Sequence, residues 1–424
     1  MLLLSRLLTP LIRIGRLNVI DAGGRCHVFG AEATPEVTIR LHEPSLHWRM
    51  LLQPGLCAGE AYMDGTLTIE DGSLYDFLDL IGRNNAGARK GWMKGPFGRV
   101  SRLFRRLKQF NPARRSRRNV AHHYDLSGEL YDLFLDADRQ YSCAYFADPD
   151  ESLETAQLRK KQHIAAKLLI EPGMRVLDVG CGWGGLSLYL AGRLGADVTG
   201  ITLSEEQLKA ANDRTEREDV AGRARFHLRD YRDERGVYDR IVSVGMFEHV
   251  GVNHYDAFFR RLRDSLAEDG VALLHTIGRY SGPGSTSAWL QKYIFPGGYS
   301  PALSEVTRAI ERAGLWVTDV EVLRLHYAHT LRHWRQRFLA NRERVEALYD
   351  ERFCRMWEFY LAGSEISFRY LNCAVYQIQI ARRRDAVPQV RETIVERERA
   401  LAVADGITPT LDMALRSEGP ASGH

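Results

Sequence analysis

The stretch RVLDVGCGWGG, residues 175–185, decides the fold of this chain. A short apolar and β-branched run ends at Asp178, and glycines follow at positions 180, 182, 184 and 185. This pattern predicts a buried parallel strand that turns tightly into a helix. Glycines let a backbone approach a ligand closely, and a helix start presents unpaired N–H groups. Because no Lys followed by Ser or Thr completes a P-loop, we expect a nucleotide-like cofactor other than a P-loop triphosphate.

Strand-like and helix-like segments alternate after this turn. The strand candidates are ADVTGITLS, ARFHLRD, DRIVSVGMFEH and VALLHTIGR. Alternation of this kind predicts an α/β fold, with a parallel sheet covered by helices on both faces. Ligands bind at the carboxyl ends of such strands. The residues expected just after strands are Asp230, Tyr231, Glu248, His249, His275 and Ile277. If the strand ending near Glu248 lies between the glycine-turn strand and the strand ending at His275, Glu248 and His275 face one pocket beside the cofactor.

Composition indicates an ordinary globular protein of two or more domains. The chain has 424 residues, of which 45% are hydrophobic and 26% charged. Its six cysteines form no CxxC pair, which favours a reducing compartment. The N-terminal run MLLLSRLLTPLIRIGRL is interrupted by Arg6, Arg13 and Arg16, which argues against a signal peptide or a spanning helix. Two interpretations remain for this run: contact with a membrane surface, or packing on its own domain.

A basic segment divides the chain. Residues 89–118 carry twelve Lys or Arg, and no acidic residue occurs between Leu80 and Tyr124. Val100, Leu103, Phe104 and Leu107 follow helical spacing, so the segment can form a helix with an apolar stripe and a cationic face. The apolar stripe favours an anionic bilayer over nucleic acid as the partner. A solvated linker is the alternative interpretation.

We therefore predict four regions. Residues 1–88 form a small α+β domain with strands at LNVID and EVTIRL, a loop, a further strand and a helix begun by Asp71 or Ser73. Residues 89–118 form the basic segment, 119–405 the catalytic domain, and 406–424 a flexible tail. The region from Tyr327 to about Arg399 is expected to be helical. His122 and His123 have no partner at ligand spacing, so no metal site is predicted.

The motifs together resemble a known family. An Asp two residues before GCGWG is similar to the first motif of class I S-adenosylmethionine (SAM) methyltransferases. The wider set resembles the cyclopropane-fatty-acyl-phospholipid synthases, which include the mycolic acid cyclopropane synthases. The segments that carry the resemblance include GEAYMDG (59–65), AHHYDLSGELYDLFLD (121–136), YSCAYF (141–146), GITLSEEQ (200–207), MFEHVG (246–251), LLHTIGR (273–279), YIFPGGY (293–299) and HYAHTLRHW (326–334).

The resemblance implies a fold, a reaction and a set of site residues. The fold is a class I SAM-methyltransferase Rossmann-like sheet with helical insertions, and the reaction is transfer of a methylene group to the cis double bond of phospholipid acyl chains. The implied SAM site comprises Tyr141, Ser142, Asp178, Gly180, Gly182, Gly184, Thr202, Gln207, Asp230 and Tyr231. The implied bicarbonate site comprises Cys143, Glu248, His275, the backbone of Ile277, and Tyr327. Bicarbonate then serves as the base that accepts a proton when the ring closes.

Some implications stay open at this level. Where some members carry a late-helix cysteine, this chain has Ser364, so no thiol nucleophile is assigned. The same residues suit methylation of an acyl chain without ring closure, and a lipid-binding protein with a relict cofactor fold is a further alternative. The expected partners are unsaturated phospholipids at an anionic membrane surface, without nucleic acid, and a homodimer is one candidate assembly. The expected location is the cytoplasm, peripherally at the inner face of the cell membrane.

Overall fold

The computed structural model describes residues 1–32, 34–86 and 127–409. The predicted basic segment 89–118 and the pair His122 and His123 therefore lie outside the described residues, as does most of the predicted tail. None of the described helices combines the length and the apolar character that crossing a bilayer requires. The chain divides into two compact units, and each unit is assembled from separate stretches of sequence.

The strands and helices of the described residues follow one another along the whole chain. The strands are β1 (Arg16–Ile20), β2 (Cys26–Phe29), β3 (Glu36–Leu41), β4 (Leu67–Asp71), β5 (Arg175–Val179), β6 (Asp197–Thr202), β7 (Ala224–Leu228), β8 (Tyr238–Val244), β9 (Leu266–Arg279), β10 (Trp316–Leu323) and β11 (Cys373–Ala381). The helices are α1 (Leu2–Leu11), α2 (Leu46–Leu52), α3 (Pro54–Met63), α4 (Leu74–Ala86), α5 (Gly128–Asp132), α6 (Leu153–Leu168), α7 (Gly185–Leu194), α8 (Glu205–Arg217), α9 (Tyr255–Ser265), α10 (Ala288–Tyr293), α11 (Leu303–Arg312), α12 (His326–Ala340), α13 (Arg342–Leu348), α14 (Glu351–Tyr370) and α15 (Glu392–Ala404).

The first unit is built on a four-stranded sheet in the order β2-β1-β3-β4. Helix α1 packs on this sheet, because Leu4, Leu8 and Leu11 are buried in the same core as strands β1 and β3. The N-terminal run therefore packs on its own unit, which was one of the two interpretations of its sequence. The segment before β4, predicted to be a loop, is instead helix α3, which begins with Pro54 at a position that needs no N–H donor.

The structure divides the chain differently from the contiguous domains 1–88 and 119–405. The first unit also contains the stretches Gly284–Pro296 and Leu331–Cys373. These later stretches pack on helices α3 and α4 within the unit. Tyr62 Oη donates to Glu358 Oε2 at 2.9 Å, and a Cβ at Gly82 would meet Ile366 at 2.5 Å. Long-range packing of this kind leaves no local mark in a sequence.

The second unit is built on a seven-stranded sheet in the order β10-β11-β9-β8-β5-β6-β7. Strands β5 to β9 pair in parallel, whereas β10 and β11 pair antiparallel. Helices α9 and α11 pack against strand residues such as Ile241 and Leu274 in one hydrophobic core. Helices α6, α7 and α8 pack against other strand residues, such as Val198 and Val242, in a second core. The α/β architecture predicted from the alternation is confirmed, including the position of β8 between β5 and β9.

The C-terminal region is not continuously helical, so that prediction was wrong. Helices α12 to α14 are followed by strand β11, which pairs with β10 from Leu323↔Val375 to Trp316↔Ala381. The run AVYQIQIA is rich in β-branched and aromatic residues, as strands are. Its pairing with β10 and its neighbour β9 stabilises it as a strand buried within the sheet.

Helix α6 contributes His163 and Lys167 to a buried ionic cluster in the second unit. His163 Nε2 lies 2.7 Å from Glu321 Oε2, and Nδ1 lies 2.9 Å from Glu398 Oε2. Burial and the nearby Lys167 lower the pKa of His163, but the hydrogen bonds to the two carboxylates outweigh them, so its pKa is raised. With an acceptor at each ring nitrogen, His163 is an imidazolium.

Candidate active site

The glycine-rich turn after β5 forms the base of the candidate site. Gly180, Gly182 and Gly184 all have positive φ, at 85°, 56° and 85°. A Cβ at Gly180 would lie 2.7 Å from Met246 Cβ, and one at Gly184 would lie 2.9 Å from the Phe226 ring. The predicted strand, turn and helix are therefore present, and the glycines are needed for both backbone conformation and close packing.

A cleft of about 990 Å³, including solvent at its mouth, opens at the carboxyl ends of β5, β6, β7 and β8. The predicted SAM-site residues that line the cleft are Tyr141, Ser142, Asp178, Gly180, Gly182, Thr202, Gln207 and Tyr231. Two predicted residues are outside this lining. Gly184 faces the Phe226 ring, and Asp230 is buried between the lining residues Arg229 and Tyr231, where its Oδ1 accepts from Arg232 N at 3.0 Å.

Polar groups in the cleft wall are held by their neighbours. Asp178 is buried, and its Oδ2 accepts from Ser187 Oγ at 2.7 Å. Burial raises the pKa of Asp178 to about 6, although the Ser187 hydrogen bond opposes the rise. Thr202 Oγ1 donates to Gln207 Oε1 at 2.8 Å, and Ser204 caps the helix on which Gln207 lies. These hydrogen bonds hold the side chains that would contact a cofactor in place before the cofactor binds.

Glu248 follows β8 directly, in the 3₁₀ turn Phe247–His249. Its Oε1 accepts from Ile277 N at 2.6 Å, and its buried Oε2 has no hydrogen-bond partner in the described part of the chain. Burial raises the pKa of Glu248 to about 7, with the Ile277 N–H partly opposing. Its neighbours Met246 and His249 line the cleft. A carboxyl that is half neutral near pH 7 therefore lies beside the cleft wall.

His275 and Ile277 lie within β9, which extends to Arg279, so the expectation that they follow the strand was wrong. Strand β9 continues because it has the neighbour β11 on its other side. His275 is nevertheless level with the end of β8, since Val244 pairs with it in the register. Its Nδ1 lies 3.2 Å from Gln377 Nε2. Burial, followed by the charges of Lys160 and Lys167, lowers the pKa of His275 well below its ordinary value, so the ring is neutral.

Cys143 and Tyr327 belong to two segments that are joined by hydrogen bonds. Ala144 N donates to Thr330 Oγ1 at 3.0 Å, one helical turn after Tyr327 in α12. Cys143 and Tyr327 are both buried, and burial raises the pKa of the Cys143 thiol, so it remains protonated at neutral pH. The structure thus brings Glu248 into contact with Ile277, and ties the Cys143 loop to the start of α12. Ser364 lies on α14, in the first unit.

Sequence reasoning missed the polar residues that helix α6 and the preceding loop contribute to the cleft. Lys160, Arg139 and Gln140 all line it. The detectable signal was Lys160 itself, because it shares the helix face of Ala156 and Ile164, which are fully buried. A charged residue on an apolar helix face is uncommon unless it has a specific partner.

Comparisons with known proteins agree with this geometry. The family model of mycolic acid cyclopropane synthetase matches residues 111–378. The cyclopropane-fatty-acyl-phospholipid synthase of Escherichia coli (strain K12) is 39% identical, over 81% of this chain and 87% of the relative. A probable fatty acid methyltransferase of Pseudomonas putida is 36% identical, over 80% of this chain and 86% of the relative.

A solved structure is similar over the same region. The mycolic acid cyclopropane synthase CmaA1 complexed with SAH (S-adenosylhomocysteine) and CTAB is 35% identical, with a TM-score of 0.60. The match covers 64% of this chain and 99% of that one. By its sheet order, its cleft and these matches, the chain has the fold of class I SAM-dependent methyltransferases and belongs to the mycolic acid cyclopropane synthetase family.

Proposed function

We propose that this protein transfers a methylene group from SAM to the cis double bond of unsaturated phospholipid acyl chains and forms a cyclopropane ring. The observation that carries the proposal is the glycine-turn cleft at the ends of β5 and β8, with the buried Glu248 beside it. Membership of a family whose relatives include a cyclopropane-fatty-acyl-phospholipid synthase supports this choice of reaction.

The residues of the cleft fit SAM. Tyr141, Ser142, Gly180 and Thr202 line it. Between the lining residues Arg229 and Tyr231, the buried Asp230 Oδ2 has no hydrogen-bond partner among the described residues, so it suits a donor group of the nucleoside. Bound SAM supplies an electrophilic sulfonium methyl group. The protein's contribution is to hold this group and an alkene at near-attack distance, and such positioning is worth roughly 7 to 11 kcal/mol.

We further propose that Cys143, Glu248, His275 and Tyr327 border a bicarbonate ion, which would supply the base for ring closure. Two anions repel, so a bicarbonate beside Glu248 either accepts a hydrogen bond from a neutral carboxyl or donates its own hydroxyl to the carboxylate, and we propose the neutral carboxyl. The raised pKa of Glu248 and its unbonded Oε2 support this arrangement. The Ile277 N–H donates to Glu248, so we assign Ile277 the positioning of that carboxyl.

Methylation of an acyl chain without ring closure is the second candidate. The match to a probable fatty acid methyltransferase favours it. Both reactions begin with attack of an alkene on a methyl group and differ only in the fate of the resulting cation. Water would quench that cation, so both require a cleft that excludes water.

A membrane surface is the proposed place of action. The twelve Lys or Arg of residues 89–118 support attraction to anionic lipid, at about 1 kcal/mol each near the surface. Co-sedimentation with anionic vesicles should therefore weaken with added salt, and with Arg105, Arg106, Arg114 and Arg115 changed to Glu. Binding that is insensitive to both changes would contradict the proposal. We also propose peripheral association with the inner face of the cell membrane, and a homodimer as the assembly to test by sedimentation.

The reaction itself is tested by incubating purified protein with SAM and mixed unsaturated phospholipid vesicles, followed by lipid mass spectrometry. We expect products that gain CH₂ and resist hydrogenation, because a cyclopropane has no double bond to reduce under mild conditions. Products that gain CH₂ and still take up hydrogen would support methylenation instead. His275→Ala and Tyr327→Phe should lower turnover while leaving SAH affinity in calorimetry nearly unchanged. An equal loss of SAH affinity would contradict their assigned roles.

A further inference from the structure

A fully buried lysine lies beside the cleft without a role in the proposed reaction. Lys160 has no exposed surface, yet it borders the cleft. Its Nζ donates to Gln140 Oε1 at 2.5 Å and to Ser142 Oγ at 2.8 Å. Both acceptors are neutral groups. Their geometry leaves a buried positive charge that is hydrogen-bonded but not neutralised by its direct partners.

The surrounding carboxyls do not neutralise this charge at short range. Within the described ranges, no carboxylate oxygen lies within 4.0 Å of Lys160 Nζ, whereas Asp138 pairs with Lys161 and Arg214 instead. Asp178, the carboxyl of the cleft wall, accepts a hydrogen bond from Ser187 Oγ instead. A buried ammonium without a close counterion is costly, and an anion in the cleft would offset that cost.

Burial lowers the pKa of Lys160 to about 8, and the nearby Asp136 limits the fall. Lys160 is therefore mostly an ammonium at neutral pH. It is also rigidly placed, because Gln157 Nε2 donates to Gln140 O at 3.1 Å and to Ser142 O at 3.0 Å. The charge and the loop that carries Ser142 thus form one fixed unit.

Ser142 connects this charge to the cleft. Its hydroxyl oxygen accepts from Lys160, so its own hydrogen is left to donate into the cleft that Ser142 lines. A hydroxyl that accepts from an ammonium is a stronger donor than an isolated one. The pair therefore presents a donor backed by positive charge, and this arrangement selects a carboxylate over a neutral group.

We infer that Lys160, acting through Ser142, recognises the carboxylate of the amino-acid portion of SAM. The inference rests on the proposed function, which makes SAM the ligand of this cleft. Lys160 is thus a positioning residue that determines which methyl donors the enzyme accepts.

The test compares two ligands that differ at this end. SAH carries the amino-acid portion, whereas 5′-methylthioadenosine keeps the nucleoside and lacks the carboxylate. In calorimetry we expect Lys160→Met and Ser142→Ala each to weaken SAH binding by about 10- to 100-fold, the range for a hydrogen bond to a charged group. Binding of 5′-methylthioadenosine should change little. Lys161→Met is the matched control, since Lys161 pairs with Asp138, and it should leave the SAH preference intact.

Several outcomes would overturn the inference. Equal losses for both ligands would mean that Lys160 only supports the loop. Unchanged SAH affinity with a raised bicarbonate requirement for turnover would assign the charge to bicarbonate instead. Additive losses in the Lys160→Met/Ser142→Ala double variant would exclude action through Ser142. If Lys160→Met does not fold, Ser142→Ala alone provides the test: a loss of affinity for SAH but not for 5′-methylthioadenosine supports the inference, and equal losses contradict it. If the wild type binds neither ligand, the proposed function fails and the inference fails with it.

Discussion

Glu248→Gln should make the protein's stability less dependent on pH. Burial raises the pKa of Glu248 from 4.5 to about 7 in the folded state, which corresponds to about 3 kcal/mol at about 1.36 kcal/mol per pH unit. Because the folded pKa is the higher one, the neutral carboxyl stabilises the fold at low pH. This contribution is fully present below about pH 4.5 and is lost as the pH rises through about 7. A glutamine has no proton to lose in this range, so Glu248→Gln removes this pH-dependent contribution to stability.

The assay is urea unfolding of the wild type and the variant at pH 5 and pH 8. Between these values the wild type should lose about 2 to 3 kcal/mol more than Glu248→Gln, as two-state linkage with pKa values of 4.5 and about 7 requires. The other titrating groups, including Asp178 and His275, are common to both proteins and cancel in the difference. Glu268→Gln, at an exposed position on β9, is the matched control and should behave as the wild type does.

One result would refute the reasoning. If the wild type and Glu248→Gln lose the same stability between pH 5 and pH 8, the carboxyl of Glu248 is already ionised in the folded protein at pH 5. The proposed hydrogen bond from a neutral Glu248 to bicarbonate would then be wrong as well. If Glu268→Gln differs from the wild type in its loss of stability between pH 5 and pH 8 as much as Glu248→Gln does, the effect comes from surface charge in general and not from the buried Glu248.

Three other changes test separate parts of the structure. Gly180→Ala should weaken SAH binding by roughly tenfold in calorimetry, because positive φ costs about 1 to 2 kcal/mol and the new Cβ would displace Met246 in the cleft wall. Gln377→Leu removes the partner of His275 Nδ1 and should lower kcat about tenfold in steady-state assays, with SAH affinity retained. His163→Gln removes the cation between Glu321 and Glu398, although Glu321 keeps its ion pair with Lys167, and should lower the free energy of urea unfolding by about 3 kcal/mol at pH 7.

Each of these changes has a contrary outcome. Normal SAH affinity in Gly180→Ala would mean that the turn tolerates a side chain and does not contact the ligand. Loss of SAH affinity in Gln377→Leu would indicate a general disturbance of the sheet, and Gln377→Glu is the variant that keeps the side-chain shape but replaces the Nε2 donor with an acceptor. Unchanged stability of His163→Gln would show that its ion pairs contribute nothing net to folding.

The parts of the site that could be predicted from sequence are those determined by neighbouring residues. The turn around Gly180 has a local cause, since adjacent residues require its backbone conformation. The placement of Glu248 followed from the parallel alternation, because a residue after β8 must reach the edge where β5 ends. The family motifs then supplied roles for residues that spacing alone left open.

The parts that could not be predicted depend on distant partners. Strand β11 sits after a helical region, and its pairing with β10 and β9, rather than its own length, makes it a strand. His275 was expected past the end of a strand, but a second neighbour extends β9 beyond it. Lys160 was overlooked because its surroundings come from the loop of Gln140 and Ser142, which lies 18 to 20 residues earlier in the chain.

The first unit gathers its parts from three separated places in the chain, and this has a consequence for how the protein can be shortened. Trp289 and Phe359, with ring centroids 4.8 Å apart, lie far along the sequence and pack with Gly59 of α3. Deleting the N-terminal residues would uncover these rings and promote aggregation. The N-terminal region is thus an integral part of the enzyme and not a detachable accessory, so expression and crystallisation should retain it.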